Sequence, residues 1–439
     1  MILDYQKETG TKYIDSSFGG LPNLENSYGS LSAILKIILT EPYNTSSILS
    51  LNIVGDFLQL GLETNHGFYK DQVVVLSGSV DETLNSEFRV LEHSQDLLTL
   101  IKPKGFLKEP LGLSDIRISG APLGYSIVFE DTPSGTTCFK NKSKKSPGIL
   151  KVIDKIPPNG YDPSWSKFVR VSIGIKIDSS GNFVNNFKTP YHGDFPDVEL
   201  TGNKVEGPSG IHGFAKWHIS KPTSTSCVEA VEPTGYFPTR WKLIGDDKNF
   251  YLMIHTSGML DSNNFSFDVV GFGNFYSYNP LESLNICLQA KDGFHPANSS
   301  PHSNPSRCSS FFGALSYTSS GFILADSFGS NRASFGRCTS IGRFLSNSTP
   351  QFPWRALDIK SNNLSSREWS STPLIIKDSS NYIRGEYRGV QVICGPSKLP
   401  DGYVSSKGDL SIHVQEPADS TSYTTINMIF TLKNWEEIL

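Results

Sequence analysis

The chain has 439 residues, 19% of them charged, and a formal net charge of -4. It is long enough to bury an apolar core without metals or disulfides. Its charge is too low and too even to draw in nucleic acid or an anionic membrane through a general field. The 38 Gly and 26 Pro beside 27 Phe and 17 Tyr describe many short strands with frequent turns, and so a mainly β chain of two or three domains. No apolar run reaches the roughly 18 residues of a membrane helix. The opening MILDYQKETG lacks the basic-then-apolar order of a secretory leader, so none is expected.

Residues 1–27 are polar and without period. They are expected to lie extended along a neighbour and to order on assembly, since alone they bury too little to offset their entropy. Ser30–Glu41 is the one convincing helix. Leu31, Ile34, Leu35, Ile38 and Leu39 share a face, and Pro42 ends the run. Ser27 or Ser30 is the expected cap. Ile37 falls off the stripe and predicts that a second face is covered by a neighbouring subunit. Leu31, Ile34, Ile37 and Ile38 are therefore candidate interface residues, and 1–45 reads as arm and helix.

Residues 46–105 hold four or five strand-like runs, from LSLNIVGDFLQLGLE to LLTLIK. His66-Gly67-Phe68 and Asp81–Asn85 read as turns between them, which gives a small β barrel or sandwich. Residues 106–439 read as a large β-sandwich-like region with a loop insertion near 295–310 (HPANSSPHSNPSRCSS). Phe139–Ser146 concentrates four lysines in a solvated loop. The centre of the chain is Arg240–Tyr278. There Trp241, Leu243 and Ile244 lead into the turn Gly245-Asp246-Asp247-Lys248, and Phe250, Leu252 and Ile254 lead out. Phe265, Phe267, Val269, Phe272, Phe275, Tyr276 and Tyr278 follow, and these rings are the expected core of the large region.

Chemical signatures are missing. The six cysteines are scattered, without CxxC, and read as isolated reduced thiols. GxSxG, HExxH and the Gly-Lys of a phosphate-binding loop do not occur. His192, Asp194 and Asp197, or His212 and His218, match no common metal spacing. Asp246-Asp247 reads as a turn because adjacent side chains diverge. The expectation is no catalytic residue, no metal and no cofactor. Phe272, Phe275, Tyr276 and Tyr278 are also the residues that could stack on a sugar, although core packing is the more economical reading.

Three stretches carry a resemblance. They are the helix with HGFYKDQVVVLSGSVDETLNSEFRVLEH, then RWKLIGDD running into FYLMIHT and GFGNFYSY, and last IRGEYRGV followed by LPDG and a final strand near Trp435. Together they resemble the virion structural proteins of tailed bacteriophages, of the tail- and baseplate-associated type. This chain is richer in Ile, Asn, Lys and Ser near its start than that family. The resemblance implies a non-enzymatic building block of a particle, made in the host cytoplasm and resident in the virion. It implies contacts with other virion proteins in a symmetric multi-copy assembly, at the baseplate, tail tip or collar. Head decoration or neck, and binding of a host surface glycan, are the alternatives it carries. In RGEYRG, Gly385 and Gly389 permit a bend. Arg384 and Arg388 flank Glu386, either as an ion-paired corner or as a contact to a neighbouring subunit.

Overall fold

Every residue from Asn249 to His255 is buried, as happens in a strand covered on both faces. Phe250, Leu252 and Ile254 point into one core, with Trp241 and Leu243. Tyr251 and Met253 point into another, with Ile244. The strand Trp241–Gly245 pairs antiparallel with Asn249–His255, Leu243 opposite Leu252. The alternation read from the sequence is therefore present, with both sets of side chains in the interior.

The computed structural model describes residues 3–106, 112–156, 167–184, 188–189, 215–219, 239–255, 267–278, 285–289, 291–292, 314–318, 321–325, 370–377, 383–394, 399–417 and 423–435. Phe265, the insertion near 295–310, and His192, Asp194, Asp197 and His212 lie outside them, as do the side chains of His218 and Arg384. The fold is mainly β, with one short helix near the N-terminus, a small curled unit and a large sandwich-like region. Among the described residues the strands form one twelve-stranded and two seven-stranded sheets. The twelve-stranded sheet runs from Lys12–Asp15 through the central hairpin and Phe267–Asn274 to the C-terminal strands Asp409–Pro417, Tyr423–Thr431 and Ile383–Cys394. Among the described strands, pairing is antiparallel except at Phe267 and Val414.

One face of this sheet packs on the sheet built around Phe168–Gly174, placing Trp241, Phe250 and Phe272 against Leu150, Val171 and Trp217. The other face of the central hairpin meets the C-terminal strands of this same sheet, through Tyr251, Phe430 and Trp435. Fully burying each such ring contributes about 1.5–3 kcal/mol, so these two layers carry the large region. Cys138 and Cys287 are buried and unbridged. Burial pushes the Cys138 thiol up to about 12, which keeps it protonated and inert.

The helix is Ser30–Thr40, within one residue of expectation. Neither serine caps it. Gly29, at φ 92, is the N-cap and gives no side-chain bond. The Ser30 hydroxyl instead accepts from Glu25 N. The free end is met from just past the end of a distant strand, Ile149–Ile153, where Asp154 Oδ2 accepts from Ser32 N at 2.9 Å.

The arm is also different from expectation. It is part of the folded body, since Lys12–Asp15 is a strand of the large sheet, with Ile14 opposite Leu243, and Tyr5, Ile14, Phe18 and Leu24 are buried. The apolar area it covers offsets the entropy that was expected to leave it disordered before assembly.

The small unit takes strands from Tyr43 to Gly120, in the order Tyr43–Ser47, Arg117–Gly120, Val73–Ser77, Glu87–His93, Leu97–Ile101, Phe57–Gly61, Ser50–Val54. Its two outer strands are consecutive in the chain, joined by Ile48 and Leu49 alone. A connection that short forces the sheet to curl until its ends nearly meet. Leu58, Leu60, Val74, Val90 and Leu98 fill the interior.

Candidate functional site

The arm, the curled unit and the chain end meet at one side chain. Arg89 is 2% exposed. Its Nε donates to Glu8 O at 3.0 Å, Nη1 to Asp71 O at 2.8 Å, and Nη2 to Thr11 O at 2.7 Å and Leu432 O at 3.2 Å. A guanidinium suits this use because its planar fork bonds in several directions at once. Burial lowers its pKa to about 10, with Asp71 acting against that, so it is charged at neutral pH. Tyr5 Oη donates to Asp71 Oδ1 at 3.0 Å, and burial raises the Asp71 carboxyl. The Thr11 hydroxyl donates to Lys433 O at 2.7 Å. Lys12 Nζ reaches Glu87 Oε1 at 2.6 Å and Pro122 O at 2.5 Å. Nothing in EFRVLEH marks Arg89 for this role. A charge in a strand ordinarily reads as a solvent-facing residue.

A polar cleft of about 340 Å³ opens beside this junction, with Lys12, Glu87, Lys142, Asp246, Asp247 and Trp435 on its walls. Asp246 Oδ1 accepts from Lys248 N and Asn249 N, each at 2.8 Å. The Asp246-Asp247 pair is thus a turn, with the first carboxylate closing it. Burial raises the Asp246 carboxyl, and Arg388, at 3.9 Å, opposes this.

The residues singled out as interface candidates fall elsewhere. Leu31, Ile34 and Ile38 have no exposed surface and lie in the core shared with Trp241 and Phe250. That corrects the expectation that they meet another subunit, because periodicity identifies an apolar face and not what covers it. Ile37 is half-buried against the same core. Arg388 is buried as well. Its guanidinium lies 5.0 Å from the centre of the Tyr276 ring, and its carbonyl accepts from Tyr251 Oη at 2.8 Å. Arg388 is thus turned inward, toward Asp246, while Glu386 is engaged by Tyr278.

Phe272 and Phe275 are core residues. Tyr278 is 53% exposed, and its hydroxyl donates to Glu386 Oε2 at 3.0 Å. A groove of about 280 Å³ lies alongside, with Tyr276, Glu386, Gln391, Lys407 and Asp409 on its walls. Among the described residues no cluster of three or more His, Cys, Asp or Glu is placed to hold a metal.

Two surface loops are held unusually well. In the first, Ser79 N donates to Asn85 Oδ1 at 2.9 Å and Asn85 Nδ2 returns to Ser79 O at 2.8 Å. Asp81 Oδ1 accepts from Thr83 N at 3.0 Å and from its hydroxyl at 2.7 Å. The second is the lysine loop. Asn141 Oδ1 accepts from Gly148 N at 2.8 Å, and Asn141 Nδ2 donates to Asn274 Oδ1 at 3.0 Å. Asn274 Nδ2 in turn donates to Ser146 O at 2.9 Å. Asparagines thus fasten the loop to the large sheet, while Lys140, Lys142, Lys144 and Lys145 are exposed as expected.

No family model matches the chain, and no curated protein matches it either.

Proposed function

We propose that this protein is a non-enzymatic structural component of a tailed-bacteriophage virion, placed in the tail at the baseplate, tail tip or collar, and working through contacts with other virion proteins. The observation that supports this reading is the fastening at Arg89. One buried cation ties the first dozen residues, the curled unit and the chain end into a single body. Such a body keeps its shape under load, which a repeated part of a particle requires. The sequence resemblance adds the phage setting. Symmetric multiple copies follow from ring geometry, and permanent contacts of this kind are large and apolar. The reading calls for no cofactor, nucleic acid or membrane.

The test is electron microscopy of purified particles in which this protein carries a tag. Density for the tag at the tail is the expected result, and a position at the head or neck would move the assignment within the virion. Purified particles lacking the protein would overturn it. A second reading, a receptor- or glycan-binding virion protein, is favoured by Tyr278, whose half-exposed ring is steadied by Glu386 beside a groove. An aromatic face flanked by carboxylate and amide groups suits a sugar's apolar face and hydroxyls. Purified protein should then bind host surface polysaccharide, and Tyr278→Ala should abolish that binding.

A further inference from the structure

Val80 is 100% exposed, at the apex of the turn between Val73–Ser77 and Glu87–His93. Single apolar residues at a surface are ordinary. What sets this one apart is that its loop has no slack. The paired bonds between Ser79 and Asn85 close its neck, and Asp81 fixes Thr83. Leu84, wholly buried, pins its base in the curled unit. Glu82, two residues after Val80, is exposed, and its Oε2 accepts from Asn85 Nδ2 at 3.3 Å. An apolar side chain already held in position gives up little freedom when it is covered.

The matching surface lies on the same chain. Lys142, Lys144 and Lys145 project from a loop whose backbone is fixed by Asn141 and Ser146, with Lys140 at the end of the strand before it. Lysines present apolar stems below cationic heads. They can therefore offer methylene groups to Val80 and charge to Asp81 and Glu82. Neither surface is complementary to itself, whereas each is complementary to the other.

We propose that the Val80 loop of one copy docks on the lysine loop of a second copy, with Val80 against the lysine stems and Glu82 facing Lys144 and Lys145. The contact joins two different patches, so it is heterologous and builds a ring when the rotation between copies closes. It rests on the assembly reading above and supplies one of the contacts that reading needs.

Sedimentation velocity on the full chain tests it. The protein should self-associate with rising concentration, and Val80→Asp should weaken that association at least about tenfold. Glu82→Lys should weaken it too, more at low salt. Combining Glu82→Lys with Lys144→Glu and Lys145→Glu should restore it, a result that a folding defect would not give. A chain that stays monomeric at its highest soluble concentration would overturn the proposal, as would a Val80→Asp chain that associates normally or a reversed pair that fails to recover. The tagged particles separate this failure from the larger one. If Val80→Asp protein enters particles normally, the contact is refuted and the assembly reading stands. Particles lacking the wild-type protein refute the assembly reading itself.

Discussion

Replacing Arg89 with methionine keeps most of the side-chain volume and removes the cation. Four hydrogen bonds from a charged donor are lost, to the carbonyls of Glu8, Asp71, Thr11 and Leu432. At about 1.5–2 kcal/mol each, the gross loss is about 6–8 kcal/mol. The variant no longer holds a guanidinium out of water, and that returns several kcal/mol. The balance is a destabilisation of about 3 kcal/mol. Urea unfolding measures it, and Arg89→Lys, which keeps the charge without the fork, should fall between. Limited proteolysis should cut the first 16 residues of the Met variant faster than those of the wild type, since two of the lost bonds hold the arm. A loss under about 1 kcal/mol with the arm still protected would refute the assignment of Arg89 as the fastening.

Three further outcomes follow from the same packing. Burial raises the carboxyls of Asp71, Asp154 and Asp246, so the folded state binds protons more tightly than the unfolded chain. Their contribution to stability is fully present below the ordinary carboxylate value, about 3.9, and is lost as pH rises through the raised folded values. Asp154→Asn should flatten its share of that slope in urea midpoints taken across acidic pH, and an unchanged slope would count against it. Gly389 has φ 66, and a Cβ there would lie 2.0 Å from Trp435 Nε1. Gly389→Ala should therefore cost about 2–3 kcal/mol, read as a lower denaturant midpoint at unchanged slope. Deleting residues 1–27 removes Tyr5, Ile14, Phe18 and Leu24 from the interior. The truncated chain should be insoluble or unfolded by circular dichroism, and a soluble folded product would show that the arm is dispensable.

What could be read in advance was local. The helix at Ser30–Thr40 announced itself through its stripe and Pro42. The central hairpin did so through alternation and Asp246. The partners could not be read, because a period states which side chains share a face and is silent on what meets them. That is why Leu31, Ile34 and Ile38 looked available to a neighbour and are instead covered by the chain's own sheets. The same limit hid Asp154, which serves the helix from 122 positions away. The strand Lys12–Asp15 is too short to show a period, and its only justification is a partner far along the chain. Asn141 read as a residue of the lysine loop, and nothing in the sequence set it against Asn274.

Trp241 and Ser16 bond across 225 positions of sequence. At 5–20 residues per second, a ribosome needs about 11–45 s to make that stretch. For all of that time the first strand of the largest sheet waits, with Ile14 unsheltered, while the curled unit behind it can begin to close. Folding is therefore staged: residues 43–120 can begin to close early, while the bond from Arg89 to Leu432 and the first strand's pairing wait for a distant arrival. Nascent chains stalled short of residue 241 should be the species that chaperones hold.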